Sequence, residues 1–488
     1  MNTKSSNGER SGQVSKAHHQ LMEDDGRPRD ACGVFGIYGH PEAAKVTYFG
    51  LYALQHRGQE STGIAVARDK KITVHKGMGL VPEVYNMSQL EQLNGGTAIG
   101  HVRYSTTGSS ILSNAQPFAV QHMGKSYAIA HNGNIVNAHK LKKELEEDGS
   151  IFQTTIDSEI AIHLFIKNLV NGFENAIVNT VSRLEGAFSF VVLTGKGELI
   201  GIKDPNGFRP LCLGKLGDHY ILSSETCALD LLQAEFIREL DPGEIVVIDK
   251  NGLRSIKPET TRKRTFCIFE YIYFARPDST IFGKNVYQMR KAHGKRLAKE
   301  SHVDGDLVMP FPDSGNYAAI GYSEESGIPF EMGMIRNHYV GRTFIQPTQD
   351  MRDFAVRVKL NPVKELLKGK EIIIIEDSII RGTTAKTRVK ALRELGVKKI
   401  HMRISCPPHR FPCHYGIDFS TKGELIAAVK PLDELKTFLG LDSLAYLSLE
   451  GLLESTGVDD PGNSFCKACF DGEYPVAFDE EVSKEFLE

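Results

Sequence analysis

The sequence contains no run of eighteen or more apolar residues, so no segment predicts a membrane-spanning helix. It also lacks an excess of either charge, since 58 Lys and Arg stand against 61 Asp and Glu. A protein that binds polyanions carries a basic excess, so nucleic acid is not an expected partner. Residues 1–31 have no apolar core and include several acids, unlike a secretory signal or a transit peptide. We therefore expect a cytoplasmic protein that uses neither a membrane nor a nucleic acid.

Cysteine is too scarce for a disulfide scaffold, with eight residues in a chain of 488. In a reducing compartment each thiol is core filler, a nucleophile or a metal ligand. Cys466 and Cys469 have C-x-x-C spacing in "SFCKACF", which is compatible with zinc or iron–sulfur ligation. Core filler is the better interpretation of Cys212, Cys227 and Cys406.

The length exceeds one ordinary core and predicts two domains. The first half is dense in short strands and carries two helical patterns, near 137–148 and 158–171, which together indicate an α+β layer architecture. From about residue 285, helices alternate with buried strands such as "EIIIIEDS" and "KKIHMRIS", as in a parallel, doubly wound sheet. We place the boundary near residue 262, in the basic, turn-like stretch "KPETTRKR".

The segment "EIIIIEDSIIRGTTAKTRVKALRELG" predicts a ligand site in the second half. A β-branched run ends in Glu376 and Asp377, and a loop of mostly small residues, 378–384, then leads into a helix. Helix N-termini at the carboxyl edge of a parallel sheet favour phosphate, and paired carboxylates accept hydrogen bonds from sugar hydroxyls or reach magnesium. The lysine of a nucleoside triphosphatase loop is missing, so a sugar phosphate is the predicted ligand. A plain strand–turn–helix would leave the acidic pair unexplained.

A second strand, in "PFPDSGNYAAIGY", ends in a turn with Asp313 and Ser314 that opens a helix. Its N–H groups suit a pyrophosphate, although an ordinary helix cap explains the same residues. Residues 336–359, "RNHYVGRTFIQPTQDMRDFAVRVK", combine basic and apolar side chains. They predict a lid over an anionic substrate, with a disordered surface loop as the alternative.

These motifs carry a family resemblance. "IIEDSIIRGTT" resembles the phosphoribosylpyrophosphate (PRPP) loop of type I phosphoribosyltransferases, and "CGVFGI", "LQHRGQEST", "GHVRYST", "AHNGNI" and "TTIDSE" resemble class II glutamine amidotransferases of the N-terminal nucleophile (Ntn) type. Residues 32–475 are similar to the glutamine PRPP amidotransferases, which open de novo purine synthesis. The resemblance implies an α+β Ntn αββα sandwich followed by an α/β type I phosphoribosyltransferase domain with a mainly parallel sheet. The implied segments are a propeptide (1–31), an amidotransferase domain (32–262), a transferase domain (263–475) and a tail (476–488).

In the first domain, removal of the leader would make Cys32 the N-terminal nucleophile, with its own α-amino group as the base. The resemblance implies that Asn132 and the backbone of Gly133 form the oxyanion hole. Opposite charges recognise the glutamine zwitterion, and the implied binding residues are Arg57, Arg103 and Asp157. Taken singly, "HNG" could be a hairpin turn and Arg103 a solvated charge, but five segments in order are far more specific.

In the second domain, the resemblance implies one Mg²⁺ and one 4Fe–4S cluster per subunit, and an ammonia passage walled by Tyr339 and Ile345. The implied PRPP-binding residues are Asp313, Ser314, Glu376, Asp377, Ser378, Arg381, Gly382, Thr383 and Thr384. The implied metal ligands are Ser314, Glu376 and Asp377 for magnesium, and Cys267, Cys413, Cys466 and Cys469 for the cluster. Glu376 stands where relatives commonly carry Asp, and either acid can bind the sugar.

The implied reaction transfers ammonia from glutamine to C1 of PRPP, with purine nucleotides as feedback inhibitors of a homotetramer. One alternative is another Ntn amidotransferase, such as a hexosamine or asparagine synthase, but those enzymes lack the phosphoribosyl loop. The other is a non-catalytic PRPP-binding regulator, which would have lost the nucleophile and gained a DNA-binding domain. Neither alternative matches the sequence as well.

Overall fold

The computed structural model describes residues 32–104, 109–337, 360–417 and 421–478. The predicted propeptide, the lid residues 338–359 with Tyr339 and Ile345, and tail residues 479–488 lie outside the described residues. Two compact units are present. The sandwich unit comprises 32–104, 109–290, 410–417, 421–422 and 453–478, and the parallel-sheet unit comprises 291–337, 360–409 and 423–452. Segments that follow residue 262 in the chain therefore belong to both units.

The sandwich unit contains two fully antiparallel sheets. The strands are, in chain order, β1 (Gly33–Ile37), β2 (Ser61–Arg68), β3 (Lys71–Met78), β4 (Thr97–Arg103), β5 (Phe118–His122), β6 (Lys125–Ile135), β7 (Gly186–Thr194), β8 (Leu199–Lys203), β9 (Cys212–Leu216), β10 (His219–Ser223), β11 (Glu235–Glu239), β12 (Ile245–Asp249) and β13 (Gly252–Ile256). The first sheet has the order β11-β9-β10-β1-β4-β2-β3, and the second has the order β13-β12-β8-β7-β6-β5.

Helices cover the outer face of each sheet. They are α1 (Ala43–Ala53), α2 (Val81–Val84), α3 (Met87–Gln92), α4 (Ala138–Glu147), α5 (Asp157–Asn168), α6 (Phe173–Arg183) and α7 (Cys227–Leu231), with short 3₁₀ turns at Gln55–Arg57, Leu112–Asn114 and Leu169–Asn171. The helices α4 and α5 confirm the two helical patterns predicted from the sequence.

Three apolar cores build the αββα layers. In β7, Val191 and Leu193 pack between the sheets, whereas Phe188 and Phe190 pack against the helices. Successive side chains of a strand point to opposite faces, so a strand buried on both faces is apolar almost throughout. This is why "AFSFVVLT" is nearly continuous in apolar residues, and it confirms the predicted sandwich.

Residues 265–290 begin with β14 (Phe266–Cys267), continue through a π-helical turn (Glu270–Phe274), and form a hairpin of β15 (Thr280–Ile281) and β16 (Lys284–Asn285). Helix α8 (Val286–Glu300) follows.

The parallel-sheet unit has a four-stranded sheet with the order β17-β20-β21-β22, and all of its pairs are parallel. Its strands are β17 (Leu307–Pro310), β18 (Met334–Arg336), β19 (Leu360–Pro362), β20 (Glu371–Glu376), β21 (Lys399–Ile404) and β22 (Ser443–Tyr446), of which β18 and β19 form a separate antiparallel pair. Its other helices are α9 (Asn316–Ser326), α10 (Lys364–Leu367), α11 (Thr383–Glu394), α12 (Ile426–Val429), α13 (Leu432–Leu439) and α14 (Leu449–Ser455), with a 3₁₀ turn at Lys422–Glu424. The alternation confirms the predicted parallel sheet.

The C-terminal segment returns to the sandwich unit. It contains α15 (Pro461–Ser464), β23 (Phe465–Cys466) and α16 (Ala468–Asp471), and β23 pairs in parallel with β14. Within the part of the chain that the structure describes, no helix is both long and apolar enough to span a bilayer.

Candidate active sites

Cys32 lies directly before β1 and is buried, with 6% of its surface exposed. Its thiol donates a hydrogen bond to the carbonyl oxygen of Tyr104 at 3.3 Å. Strand pairing accounts for this contact, because Gly33 of β1 lies opposite Val102 of β4, and Tyr104 follows the end of β4. Groups carried at the ends of paired strands are held more precisely than groups on loops, so the thiol has a defined position.

Arg57 is fully buried and has charged partners on both sides of its guanidinium. Its Nη1 donates to Glu225 at 2.5 Å, and its Nη2 donates to Glu270 at 2.7 Å. Its Nε donates to the carbonyl oxygen of Cys32 at 3.2 Å. Burial alone would lower the pKa of Arg57, but the carboxylates of Glu270 and Glu225 raise it above its usual value. These contacts hold the guanidinium of Arg57 against the backbone of Cys32.

Asn132 and Gly133 lie on β6, the strand that carries "AHNGNI". The side chain of Asn132 is buried, and among the described residues its Nδ2 has no hydrogen-bond partner. Gly133 has φ +143°, and a Cβ there would lie only 2.1 Å from the carbonyl oxygen of Ala187. Only glycine fits at this position. A buried amide that is not satisfied within the protein is a donor available to a ligand.

Asp157 begins α5 and is buried next to β6. Its two carboxylate oxygens accept from Nδ1 of His131 at 3.1 Å and from the backbone N–H of Ile135 at 2.9 Å. Burial alone would raise the pKa of Asp157, but His131 and the amide of Ile135 hold it below its usual range. The carboxylate of Asp157 is therefore ionised and is held against β6 by His131 and Ile135.

A histidine bridge joins the strand of Arg103 to the strand of Asn132. His101 of β4 donates through Nε2 to the carbonyl oxygen of His131 at 2.8 Å. Arg103 is buried at the end of β4 and donates to the carbonyl oxygen of Ser109 at 3.3 Å. Burial lowers the pKa of His101 to about 3, so the bridge is neutral.

The second candidate site lies at the carboxyl end of β20 in the parallel-sheet unit. Glu376 and Asp377 are both buried there. The hydroxyl of Ser314 donates to Glu376 at 3.4 Å, and Nη1 of Arg388 lies 3.4 Å from the other oxygen of Glu376. The hydroxyl of Ser378 donates to Asp377 at 2.7 Å. Side-chain oxygen atoms from the ends of two strands therefore meet at this edge of the sheet.

Close backbone approach shapes both loops of this site. A Cβ on Gly315 would lie 2.3 Å from the carbonyl oxygen of Ile375, so the turn that carries Asp313 rests against the end of β20. Gly382 has φ +75° and caps α11, whose first residues are Thr383 and Thr384. Loop 378–382 thus leads from the two acids directly into the N-terminus of a twelve-residue helix, and helix N-termini favour anions.

Two charged residues of this site are paired with other side chains. Nη1 of Arg336 lies 2.5 Å from Asp313, and Nη2 of Arg381 lies 3.5 Å from Glu424. Both pairs are partly exposed, and pairs of this kind are weak enough for a substrate to replace them.

Four thiols, those of Cys267, Cys413, Cys466 and Cys469, line one cavity in the sandwich unit. None of them forms a disulfide, and Cys267 and Cys466 are direct partners in the β14–β23 pair. Burial raises the pKa of Cys267 to about 11. Within the described ranges, no group of three or more His, Cys, Asp or Glu side chains is placed closely enough to hold a metal ion.

Comparisons with known proteins identify the family. Residues 101–231 match the model of a glutamine amidotransferase domain. The amidophosphoribosyltransferase of Synechococcus elongatus is 49% identical over 473 residues, covering 96% of this chain and 95% of that protein. The Bacillus subtilis enzyme of the same name is 48% identical over 451 residues, covering 92% and 94%. The chain belongs to the amidophosphoribosyltransferase family.

Further relatives agree with this assignment. Amidophosphoribosyltransferase 2, chloroplastic, of Arabidopsis thaliana is 48% identical over 464 residues, covering 94% of this chain and 82% of that protein. A solved structure of glutamine PRPP amidotransferase from B. subtilis, complexed with ADP and GMP, matches with a TM-score of 0.88 at 46% identity, covering 94% of this chain and 100% of that chain. Membership in the amidophosphoribosyltransferase family confirms the predicted fold class and the predicted activity, a glutamine-dependent pentosyltransferase, and excludes both alternatives.

Several buried residues of this chain were not identified from the sequence: His101, His131, Arg209, Glu225 and Glu270. The buried Glu270 sits in the apolar stretch "CIFEYIYF", and an isolated acid in such a stretch is a signal for a buried ion pair. The other four carry no comparable signal, since none of them stands within an apolar stretch of that length.

Proposed function

We propose that this chain hydrolyses glutamine at Cys32 and passes the ammonia to C1 of PRPP, forming 5-phosphoribosylamine, glutamate and pyrophosphate in the first committed step of purine synthesis. The buried Nδ2 of Asn132, which has no hydrogen-bond partner among the described residues, is the observation that supports the assignment best. An oxyanion hole needs a pre-positioned donor that no protein group already uses.

Glutamine hydrolysis begins when Cys32 attacks the side-chain amide, which forms a thioester and releases ammonia, and water then cleaves the thioester to give glutamate. Cleavage of the Ala31–Cys32 bond would free an α-amino group on the same residue, and because such an amine titrates near ~8 and a thiol near ~8.5, proton transfer between them is nearly balanced. Asn132 Nδ2 and the N–H of Gly133 stabilise the oxyanion, Arg103 binds the substrate carboxylate and Asp157 its ammonium.

The reaction with PRPP takes place at the end of β20. Glu376 and Asp377 bind the ribose hydroxyls, and the N–H groups of 378–384 bind the 5-phosphate. Mg²⁺ fits the oxygen donors of Ser314, Glu376 and Asp377, two of which are 3.4 Å apart, and when bound it neutralises pyrophosphate charge. The residues Asp313, Ser378, Arg381, Gly382, Thr383 and Thr384 complete the substrate site. Catalysis here consists of positioning and charge stabilisation.

The thiols of Cys267, Cys413, Cys466 and Cys469 fit a 4Fe–4S cluster, because four unbridged cysteines share one cavity and a buried cation, Arg209, lines it. The cluster would be structural, since it would tie the C-terminal segment to β14 and no step of the reaction transfers electrons.

We further propose purine nucleotides as inhibitors, a homotetramer as the assembly and the cytoplasm as the location. The complex of the B. subtilis enzyme with ADP and GMP supports the first of these.

The deciding experiment replaces Cys32 by Ala and measures synthesis from glutamine and from added ammonia side by side. We expect Cys32→Ala to abolish the use of glutamine and to keep ammonia-dependent synthesis, because the thioester cannot form and C1 chemistry is independent of it. Cys212→Ala is the matched control, since Cys212 is also a buried thiol. It should cost about 1 kcal/mol of stability and keep both activities.

Equal loss of both activities in Cys32→Ala, or continued use of glutamine, would reject the assignment. Intact mass of the purified protein tests processing separately. We expect the chain to begin at Cys32, and a chain that retains Ala31 should not release glutamate.

A further inference from the structure

Residues Cys413–Gly416, here called the strut, lie against the candidate oxyanion strand although they are about 280 residues away in the chain. Nδ2 of Asn134 donates to the carbonyl oxygen of His414 at 2.8 Å. The ring of Tyr415 stacks on Phe208, with 4.6 Å between centroids. All of these residues belong to the sandwich unit.

The closest approach is between two glycines. Gly416 has φ +95°, and a Cβ on it would lie 3.0 Å from the carbonyl carbon of Gly133 and 3.2 Å from its Cα. Gly133 also approaches the carbonyl oxygen of Ala187 so closely that a Cβ would lie 2.1 Å from it. The backbone of Gly133 is therefore in close contact with both β7 and the strut.

Arg209 connects the strut to the backbone of the nucleophile. Its Nη2 donates to the carbonyl oxygens of Tyr415 and Gly416 at 3.1 and 2.7 Å, and its Nη1 donates to Glu270 at 3.1 Å. Glu270 in turn pairs with Arg57, which holds the carbonyl oxygen of Cys32. The chain of contacts is buried throughout, so bulk water does not weaken it.

We infer that Gly416 and Arg209 are positioning residues for glutamine hydrolysis, acting through Gly133 and through the Glu270–Arg57 pair. This inference rests on the proposed function of Cys32 and Gly133. An oxyanion donor acts only within a few tenths of an ångström of its proper place, so a strut that fixes Gly133 contributes to the transition state rather than to glutamine binding. Neither residue takes part in the reaction at C1 of PRPP.

The test is Gly416→Ala, compared with Gly172→Ala. Gly172 has nearly the same φ, +93°, and no atom within 4 Å of an added Cβ, so it tests the effect of an alanine at positive φ without the contact. We expect Gly416→Ala to lower kcat for glutamine hydrolysis by about ten-fold or more, because the new methyl displaces Gly133. KM for glutamine should stay within about two-fold, since the substrate contacts are kept. Ammonia-dependent synthesis should be unchanged, and Gly172→Ala should match the wild type in both reactions.

Arg209→Lys is the second variant, in case Gly416→Ala does not fold. It retains the charge beside Glu270 but loses the fork that holds two carbonyl oxygens, and it should show the same selective fall in kcat. The inference is overturned if both variants keep wild-type glutamine turnover, or if both activities fall by the same factor. Measuring Cys32→Ala in parallel shows whether a negative result contradicts the proposed function or only this inference. If Cys32→Ala still uses glutamine, the proposed function fails, whereas if it does not and both strut variants are normal, only this inference fails.

Discussion

Arg57 holds the carbonyl oxygen of Cys32, with Nε and the oxygen 3.2 Å apart. Nη1 donates to Glu225 and Glu270, Nη2 donates to Glu270, and both acids are completely buried. This arrangement indicates that Arg57 fixes the backbone of Cys32, the proposed nucleophile, while the resemblance to the family implied that it binds glutamine. The two roles predict different kinetics.

Arg57→Lys distinguishes them. A lysine keeps the positive charge but has a single ammonium group and cannot hold two carboxylates and a carbonyl together. We expect kcat for glutamine to fall by about ten-fold to a hundred-fold, with little change in KM, because the nucleophile is misplaced. A rise in KM at constant kcat would instead favour glutamine binding. Arg254→Lys is the control, since Arg254 also pairs with two acids, Glu174 and Asp249, in the same unit.

Asp377→Asn tests the PRPP site. The variant keeps the shape of the side chain but removes the charge proposed to bind ribose and Mg²⁺, so synthesis should be lost with glutamine and with ammonia alike. Steady-state rates with the two nitrogen sources provide the measurement. Glu371→Gln, at the opposite end of β20 where Glu371 pairs with Lys398, should be active. Ammonia-dependent synthesis that survived in Asp377→Asn would place the site elsewhere.

Iron content and colour test the cysteine cavity. Protein purified without oxygen should be brown and contain iron, and exposure to air should remove colour and activity in parallel, because the C-terminal segment loses its anchor. Cys413→Ala should lose the iron. Cys406→Ala should keep it, since Cys406 is buried but does not line the cavity. A colourless protein with full activity, containing zinc or no metal, would contradict the proposal.

His101 predicts a pH dependence of stability. Its folded pKa is about 3, whereas an unfolded histidine titrates near ~6.5, so between these values only the unfolded chain binds the proton. Its contribution is therefore complete above pH ~6.5 and decreases as the pH falls toward 3, by up to ~1.4 kcal/mol per pH unit. His101→Gln removes the side chain that binds this proton in the unfolded state. Melting curves from pH 8 to pH 5 should show the variant gaining stability relative to the wild type on acidification, and parallel curves would contradict the prediction.

The sequence by itself determined the features that depend on near neighbours. The apolar run before Glu376 and Asp377, the small loop after them and the helix beyond are set by residues within about twenty positions, and the structure has each of them in place. The alternation within β7 determined which side chains enter which core in the same way. Hydrophobic periodicity and turn-forming residues are local properties, so the fold class could be predicted from the sequence.

Tertiary structure alone decided the partners of the buried charges. Arg57 meets Glu225 and Glu270 across 168 and 213 positions of sequence, and nothing near any of the three residues specifies the other two. The same holds for Gly416 and Gly133, whose contact exists because residues 410–417 belong to the sandwich unit. A charge or a glycine is compatible with many neighbours in an extended chain. Its role becomes definite only when folding removes water and leaves particular groups close enough to satisfy or to exclude one another.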